Sequence, residues 1–354
     1  MPPLDRWNAA PEILRLVAAI DEFKGSWQAL GALAPDRLRN LRRVATIESV
    51  ASSTRIEGSK LTDAEVDRLL KGLDVHSFRS RDEEEVAGYA AAMNLIFDCF
   101  ADMEVTENVI RQLHQSLLQH STKDQRHRGS YKTHPNDVKA FRDGIAVGVV
   151  FETASPFDTP RLMRELVEWT RDSLAARAHH PLIVIGVFVI RFLAIHPFQD
   201  GNGRLSRALT TLLLLRAGYG YVPYSSMERV IEDNKERYYL ALRHAQMDGA
   251  RLDEWLAFFL TTMRTQQQAL QARISEHALA APRPELQERL LSLASSLGKL
   301  TIGAAIKATG AKRSTLKLHV KALVAEGALS THGVGKGTWY ERAVPRAPTD
   351  QGGS

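Results

Sequence analysis

Apolar residues return every three or four positions in "EILRLVAAIDEF", "LRNLRRVATIESVASS", "AEVDRLLKGL", "YAAAMNLIFDCF" and "VIRQLHQSLL", the spacing that lines one face of a helix. Runs with a two-residue period are scarce, so the first 270 residues are predicted to be mostly α-helical. Between Pro181 and Ile195 the pattern changes: "PLIVIGVFVIRFLAI" is apolar all round. At about fifteen residues, with Gly186 and Arg191 inside it, this stretch falls short of the roughly twenty clean residues of a membrane span and reads as a buried core helix. At 143–160 "DGIAVGVVFETASPFDTP" is rich in β-branched residues and predicts a short hairpin or extended flap before the helix "RLMRELVEWTRDSL". A polar helix, "MRTQQQALQARISEHALAA", then leads to Pro282 and Pro284, the expected domain boundary.

The composition, 44% hydrophobic and 25% charged over 354 residues, is that of a soluble globular protein of two or three domains. Its net charge of +5 is unevenly placed. Residues 283–346 carry eleven Lys and Arg against four Asp and Glu, which leaves residues 1–282 near −1. Basicity confined to a C-terminal segment is the footprint of a small nucleic-acid-binding appendage. The single cysteine, Cys99, excludes an intrachain disulfide and a cysteine metal cluster and fits a reducing, cytoplasmic setting. No signal peptide or membrane segment is predicted.

The buried helix gives way to "HPFQDGNGRLSR" at 196–207. Asp, Gly and Asn are ordinary turn formers, and alone they would only reverse the chain. Here a second helical pattern, "RLSRALTTLLLLRAG", follows directly, so Gly201 to Gly203 fall at a helix N-terminus, where open N–H groups and the dipole bind anions. Arg204 and Arg207, three apart, share one face of the first turn and can grip separate phosphates. Asp200 is the acid able to ligate Mg²⁺. His196 titrates near neutrality and suits a general base, although a histidine after an apolar helix is more often structural.

These residues resemble the signature of the Fic family, HxFx[DE]GNGRxxR, matching at His196, Phe198, Asp200, Gly201, Asn202, Gly203, Arg204 and Arg207. The resemblance implies transfer of AMP from ATP to a Tyr, Thr or Ser hydroxyl of a target protein, or of the protein itself. His196 would be the base, Asp200 the Mg²⁺ ligand, Phe198 a core anchor. Asn202 and the glycine amides would hold the α- and β-phosphates, with Leu205 and Ser206 in the same cradle, and Arg204 and Arg207 would take the β- and γ-phosphates. The hairpin around Val149 to Ser155 is similar to the family's target-aligning flap. Tyr238 and Tyr239 resemble its nucleotide-side tyrosines. Seven residues after Tyr239, where many members have Asn, stands Gln246.

Upstream, Gly58 reads as a C-cap glycine and "TDAE" at 62–65 as a capping box. Glu57 then falls in a helix's last turn, either as a solvated surface acid or as something more specific. Ser53-x-x-x-Glu57-Gly58 resembles the inhibitory [S/T]xxxE[G/N] motif of Fic proteins, by which Glu57 would pair with Arg207. Downstream, a helix, a turn at Gly310, a basic helix and a Gly-rich hairpin resemble a winged helix-turn-helix. Its exposed face would carry Lys312, Arg313, Ser314, Thr315, Lys317 and Lys321, with Lys336 on the wing. That face would bind duplex DNA or serve as a protein-interaction module.

The expected fold is therefore mainly α: an N-terminal helical region with the inhibitory helix (1–80), a Fic core with a small β-hairpin flap (81–265), a helical linker (266–284), a winged helix (285–345) and a disordered tail (346–354). The expected activity is an ATP- and Mg²⁺-dependent protein adenylyltransferase restrained by Glu57. A hydrolase removing AMP from modified protein and a nucleotide-sensing transcription regulator are the alternatives, and a homodimer is left open.

Overall fold

The computed structural model describes residues 4, 7–29, 35–72, 78–136, 138–142, 145–151, 153–247, 251–279, 285–325, 327–333 and 335–343. They fall into two units, Met1–Gln271 and Ala272–Ser354. The first contains α1 (Pro11–Ala29), α2 (Pro35–Ile56), α3 (Asp63–Lys71), α4 (Arg81–Cys99), α5 (Glu107–Leu117), β1 (Val138–Arg142), β2 (Ile145–Phe151), α6 (Thr159–Ala176), α7 (Pro181–Ile195), α8 (Asn202–Arg216), α9 (Met227–Asp233) and α10 (Lys235–Met247). Helix α11 (Leu252–Leu279) crosses the division, which thus lies upstream of Pro282 and Pro284; those prolines and the 346–354 tail lie outside the described residues.

Helix α7 is the centre of the first unit. Twelve of its fifteen residues are buried, so Val and Ile side chains that weaken an isolated helix are held by neighbours on every side. Pro181 opens it, and the His180 side chain accepts from Leu182 N–H. Helix α8 is buried at thirteen of its fifteen residues, yet its buried set includes Asn202, Arg204, Ser206 and Arg207, and buried polar groups of this kind need partners. Helix α4 crosses α5 so closely that a Cβ on Gly88 would lie 2.0 Å from Leu117 O. That approach brings the N-terminus of α4 and the middle of α5 to the α7–α8 junction. Among the described residues no helix is long and apolar enough to cross a membrane.

The capping box at Thr62 and Glu65 is formed in both directions, and Gly58 has a φ of 109°. Glu57, expected in the last helical turn, stands just beyond α2, which ends at Ile56. The hairpin pairs β1 and β2 antiparallel from Val138↔Phe151 to Arg142↔Ile145. Its first strand, "VKAFR", begins five residues before the expected stretch, because a short charged strand gives little alternation to read. The side chains of 137–152 lie outside the described residues.

The second unit holds α12 (Glu285–Leu297), α13 (Ile302–Thr309), α14 (Arg313–Ala325), β3 (Leu329–His332) and β4 (Trp339–Arg342). Leu290, Leu300, Leu316, Val320, Leu323 and Leu329 form its core with Tyr340 packed alongside. Gly310, with φ 68°, closes α13 in the left-handed conformation as its N–H reaches Ile306 O. Strands β3 and β4 pair antiparallel, and Leu300 bridges to Tyr340.

Candidate active site

His196 ends α7 in a left-handed conformation, φ 52° and ψ 59°, which costs a non-glycine residue about 1 kcal/mol. The bend is held from outside. Lys132 N–H donates to Pro197 O at 2.8 Å and Lys132 Nζ to Ile195 O at 3.0 Å. Asn136 Nδ2 donates to His196 O and Phe198 O. A cation and an amide thus satisfy carbonyls that the end of α7 leaves open. Phe198 is fully buried and stacks on the His114 ring, 3.8 Å between centroids. His114 accepts from Gly129 N–H at Nδ1 and donates from Nε2 to Asp200 O at 3.1 Å. Burial holds the His114 imidazole neutral, its pKa down to about 4.

Burial likewise pushes His196 down to about 4, so at neutral pH it carries no charge and can accept a proton. Its Nδ1 faces Leu193 O at 3.3 Å, which directs Nε2 elsewhere. His196, Asp200, Gly201, Asn202, Gly203, Arg204, Arg207, Tyr238, Tyr239 and Glu57 line one cleft of about 260 Å³, room for a ligand rather than for a single water.

At the N-terminus of α8 the anion position is taken. Glu57 Oε1 accepts from Arg207 Nη2 at 2.8 Å. The same guanidinium donates from Nη2 to Ser53 O and from Nε to Ser53 Oγ, each at 2.9 Å. A Cβ on Gly203 would come within 2.2 Å of Glu57 Oε1, so the carboxylate rests against the first turn of α8. Burial alone would raise the Glu57 carboxyl, but the Arg207 guanidinium, together with Arg204 and His196, outweighs it and holds the group below the usual carboxylate range. Burial also works against the charge on Arg207, and Glu57 together with Tyr238 and Tyr89 more than offsets it.

Asp200 Oδ2 accepts from Arg81 at 2.9 Å, and Oδ1 lies 3.3 Å from Arg204 Nη2. Glu85 lies 2.8 Å from Arg81 and 3.1 Å from Arg204 Nη1. Even so, Arg204 Nε and Nη1 are buried without an aligned hydrogen-bond partner among the described residues. Such orphaned donors fit phosphate oxygens. Among the described residues no group of three or more His, Cys, Asp or Glu could hold a metal. One carboxylate beside a polyphosphate is nevertheless how Mg²⁺ is commonly held, so Asp200 fits that ion.

Several expected phosphate contacts differ in detail. The Asn202 side chain turns back on its own loop, accepting from Phe198 N–H at 2.9 Å and donating to Phe198 O at 2.6 Å, so it shapes the cradle rather than facing a phosphate. Leu205 is buried in the core and its N–H is spent on Gly201 O. Ser206 is buried with Oγ donating to Gly203 O. Neither lines the cleft. Gln246 lies one turn beyond Leu242 on α10, outside the cleft lining, with both amide atoms buried and lacking partners among the described residues.

The histidine at a strained helix end, the lone acid and the glycine-bared helix start with two arginines all fall within one segment that matches a known family. A model of the Fic/DOC family matches residues 104–214. The chain carries a Fic domain. Curated relatives named "Protein adenylyltransferase Fic" include those of Drosophila willistoni, 28% identical over 67% of this chain and 44% of the relative, and Drosophila ananassae, 30% identical over 60% and 40%. The chain thus spans less than half the length of these relatives. A solved Fic family protein from Desulfovibrio desulfuricans matches 98% of this chain and 99% of its own at 25% identity, with a TM-score of 0.66. Fic-1 from C. elegans, at 18% identity and a TM-score of 0.59 over 76% of this chain and 74% of its own, shares the fold.

The Fic domain draws on residues that the sequence reading did not single out: Arg81, Glu85, His114, Lys132 and Asn136. The lysine and asparagine in "YKTHPN" carry no local signal of their role; Arg81, a cation opening an otherwise acidic helix start, is the one whose setting departs from a local rule.

In the second unit Lys312, Arg313, Ser314, Thr315, Lys317 and Lys321 are all exposed, while Leu316, Val320 and Leu323 face the core. No acidic residue lies between Arg313 and Ala325. Lys336 falls in the short turn 335–337, and its side chain lies outside the described residues.

Proposed function

We propose that the protein transfers AMP from ATP, with Mg²⁺, to a hydroxyl side chain of a target protein or of itself, and that Glu57 restrains the reaction. The observation that carries this reading is the convergence of neutral His196, Asp200, the bare first turn of α8 and the two arginines on one cleft. His196 takes the hydroxyl proton as that oxygen bonds to the α-phosphorus; the bond to the β-phosphate oxygen breaks and pyrophosphate leaves. Arg204 and Arg207 stabilise charge on the leaving phosphates. Asp200 would hold Mg²⁺, which supplies further charge neutralisation. With Arg207 bound to Glu57, the γ-phosphate lacks its arginine and the α-phosphorus is misaligned for attack. The single Cys99 fits a cytoplasmic setting, which belongs to the same reading.

The second unit, in this reading, is a winged helix whose basic α14 face binds duplex DNA. Its support is the exposed, acid-free run from Lys312 to Lys321. Labelled ATP tests the enzymatic part: His196→Ala should abolish labelling of protein while nucleotide binding persists, because the base acts only as the proton moves. Loss of both would make His196 structural, and release of AMP from modified protein without labelling would favour the hydrolase.

A further inference from the structure

Arg81, Glu85, Asp200 and Arg204 form a closed ring of alternating charge. Its four edges are Glu85–Arg81 at 2.8 Å, Arg81–Asp200 at 2.9 Å, Asp200–Arg204 at 3.3 Å and Arg204–Glu85 at 3.1 Å. Two members belong to the motif loop and two to the first turn and a half of α4. Helix stability does not explain Arg81, since a cation at the first position of a helix opposes the macrodipole; the next three residues, Asp82, Glu83 and Glu84, are the acids that position favours. Nor is Glu85 an ordinary solvated acid: its side chain is 12% exposed and its partner Arg204 is 3% exposed.

We propose that the Arg81–Glu85 pair of α4 stands in for the divalent cation and the polyphosphate, Arg81 occupying the cation's place on Asp200 and Glu85 the phosphate's place on Arg204. This rests on the nucleotide-binding reading of the cleft. Each contact made by the incoming ligand replaces one edge of the ring: the metal takes Asp200 from Arg81, and a phosphate takes Arg204 from Glu85. The two released side chains keep each other, because at i and i+4 on one helix their own edge survives. The exchange therefore strands no buried charge, which is what leaving Arg204 or Asp200 bare would do. It also means that both ligands bind against an internal competitor, one lying 119 residues from Asp200 in the chain and independent of Glu57, which holds the other arginine.

The test uses the full chain and reads binding, not turnover. Mn²⁺ replaces Mg²⁺ and is followed by its electron paramagnetic resonance signal at saturating ATP; metal-free ATP is followed by equilibrium dialysis with chelator present. Arg81→Gln should tighten Mn²⁺ about twofold to fivefold, the span expected for losing a partly exposed ion pair. Arg81→Lys, which keeps a cation there, should gain less than Arg81→Gln. Glu85→Gln, isosteric and uncharged, should tighten metal-free ATP by a similar factor. Unchanged or weaker binding in Arg81→Gln and Glu85→Gln overturns the proposal, and weaker binding would make the pair a support for Asp200 and Arg204. If the wild type binds neither ATP nor Mn²⁺ with ATP, the nucleotide reading falls and this inference with it; binding without a gain in the variants overturns the inference alone.

Discussion

Glu57 and Gly203 meet across 146 positions of sequence so closely that a methyl group on Gly203 would lie 2.2 Å from Glu57 Oε1. The carboxylate thus occupies the point at which a helix N-terminus attracts an anion, and Arg207 closes on it from the next turn.

Glu57→Gly removes that occupant and frees Arg207. Self-labelling with AMP from labelled ATP should rise at least about tenfold, a relief of about 1.4 kcal/mol. Because the gain depends on Arg207 reaching ATP, Glu57→Gly with Arg207→Ala should lose most of it. Equal labelling by wild type and Glu57→Gly would leave Glu57 as a structural acid.

Gly203→Ala gives the complementary result. The flexible end of Glu57 can swing away from the new methyl, so the ion pair with Arg207 should loosen. The methyl, however, stays in the cradle where a phosphate would approach the backbone, and weaker ATP binding is expected whether or not Glu57 is present. Equilibrium dialysis on Gly203→Ala and on its double with Glu57→Gly checks this; recovery of ATP binding in the double would show that the cradle lies elsewhere.

The two neutral, desolvated histidines set an acid limit on stability. Both His114 and His196 have pKa values lowered to about 4, so between pH 6.5 and 4 the unfolded chain binds protons that the folded chain refuses. Stability must then fall as pH falls through that window, on the order of 2 kcal/mol per histidine between pH 7 and 5. The depressed Glu57 carboxyl acts with the same sign only lower, near and below its ordinary 4.5. Urea unfolding at pH 7 and 5 should show the decline, and His196→Ala, whatever its baseline, should show a shallower one.

Removal of residues 283–354 should leave labelling measurable, since every residue lining the cleft precedes Gln271. The full chain, but not the truncated one, should bind duplex DNA with affinity falling steeply in salt. Four cations on the α14 face, Lys312, Arg313, Lys317 and Lys321, correspond to a slope of about −3 to −4 in log affinity against log salt concentration. Salt-insensitive binding, or none, would return the second unit to a protein-interaction role.

Sequence alone determined what depends on a few neighbouring residues. The apolar run 181–195, the capping box at Thr62 and Glu65, the positive φ of Gly58 and the contiguous cradle from His196 to Arg207 are each local, because helical period and backbone dihedral preferences act within one or two turns. Tertiary structure decided the rest. Whether Glu57 was a solvated acid or the partner of an arginine 150 residues away depended on where α2 ends against α8. The inward turn of Asn202, the spent amide of Leu205 and the buried Oγ of Ser206 depended on how the loop closes on Phe198. Arg81, Glu85, His114, Lys132 and Asn136 reached the site only because α4, α5 and the 131–136 segment pack around the end of α7. Their side chains act through long-range contacts, and no spacing along the chain records which buried charge or carbonyl they will meet.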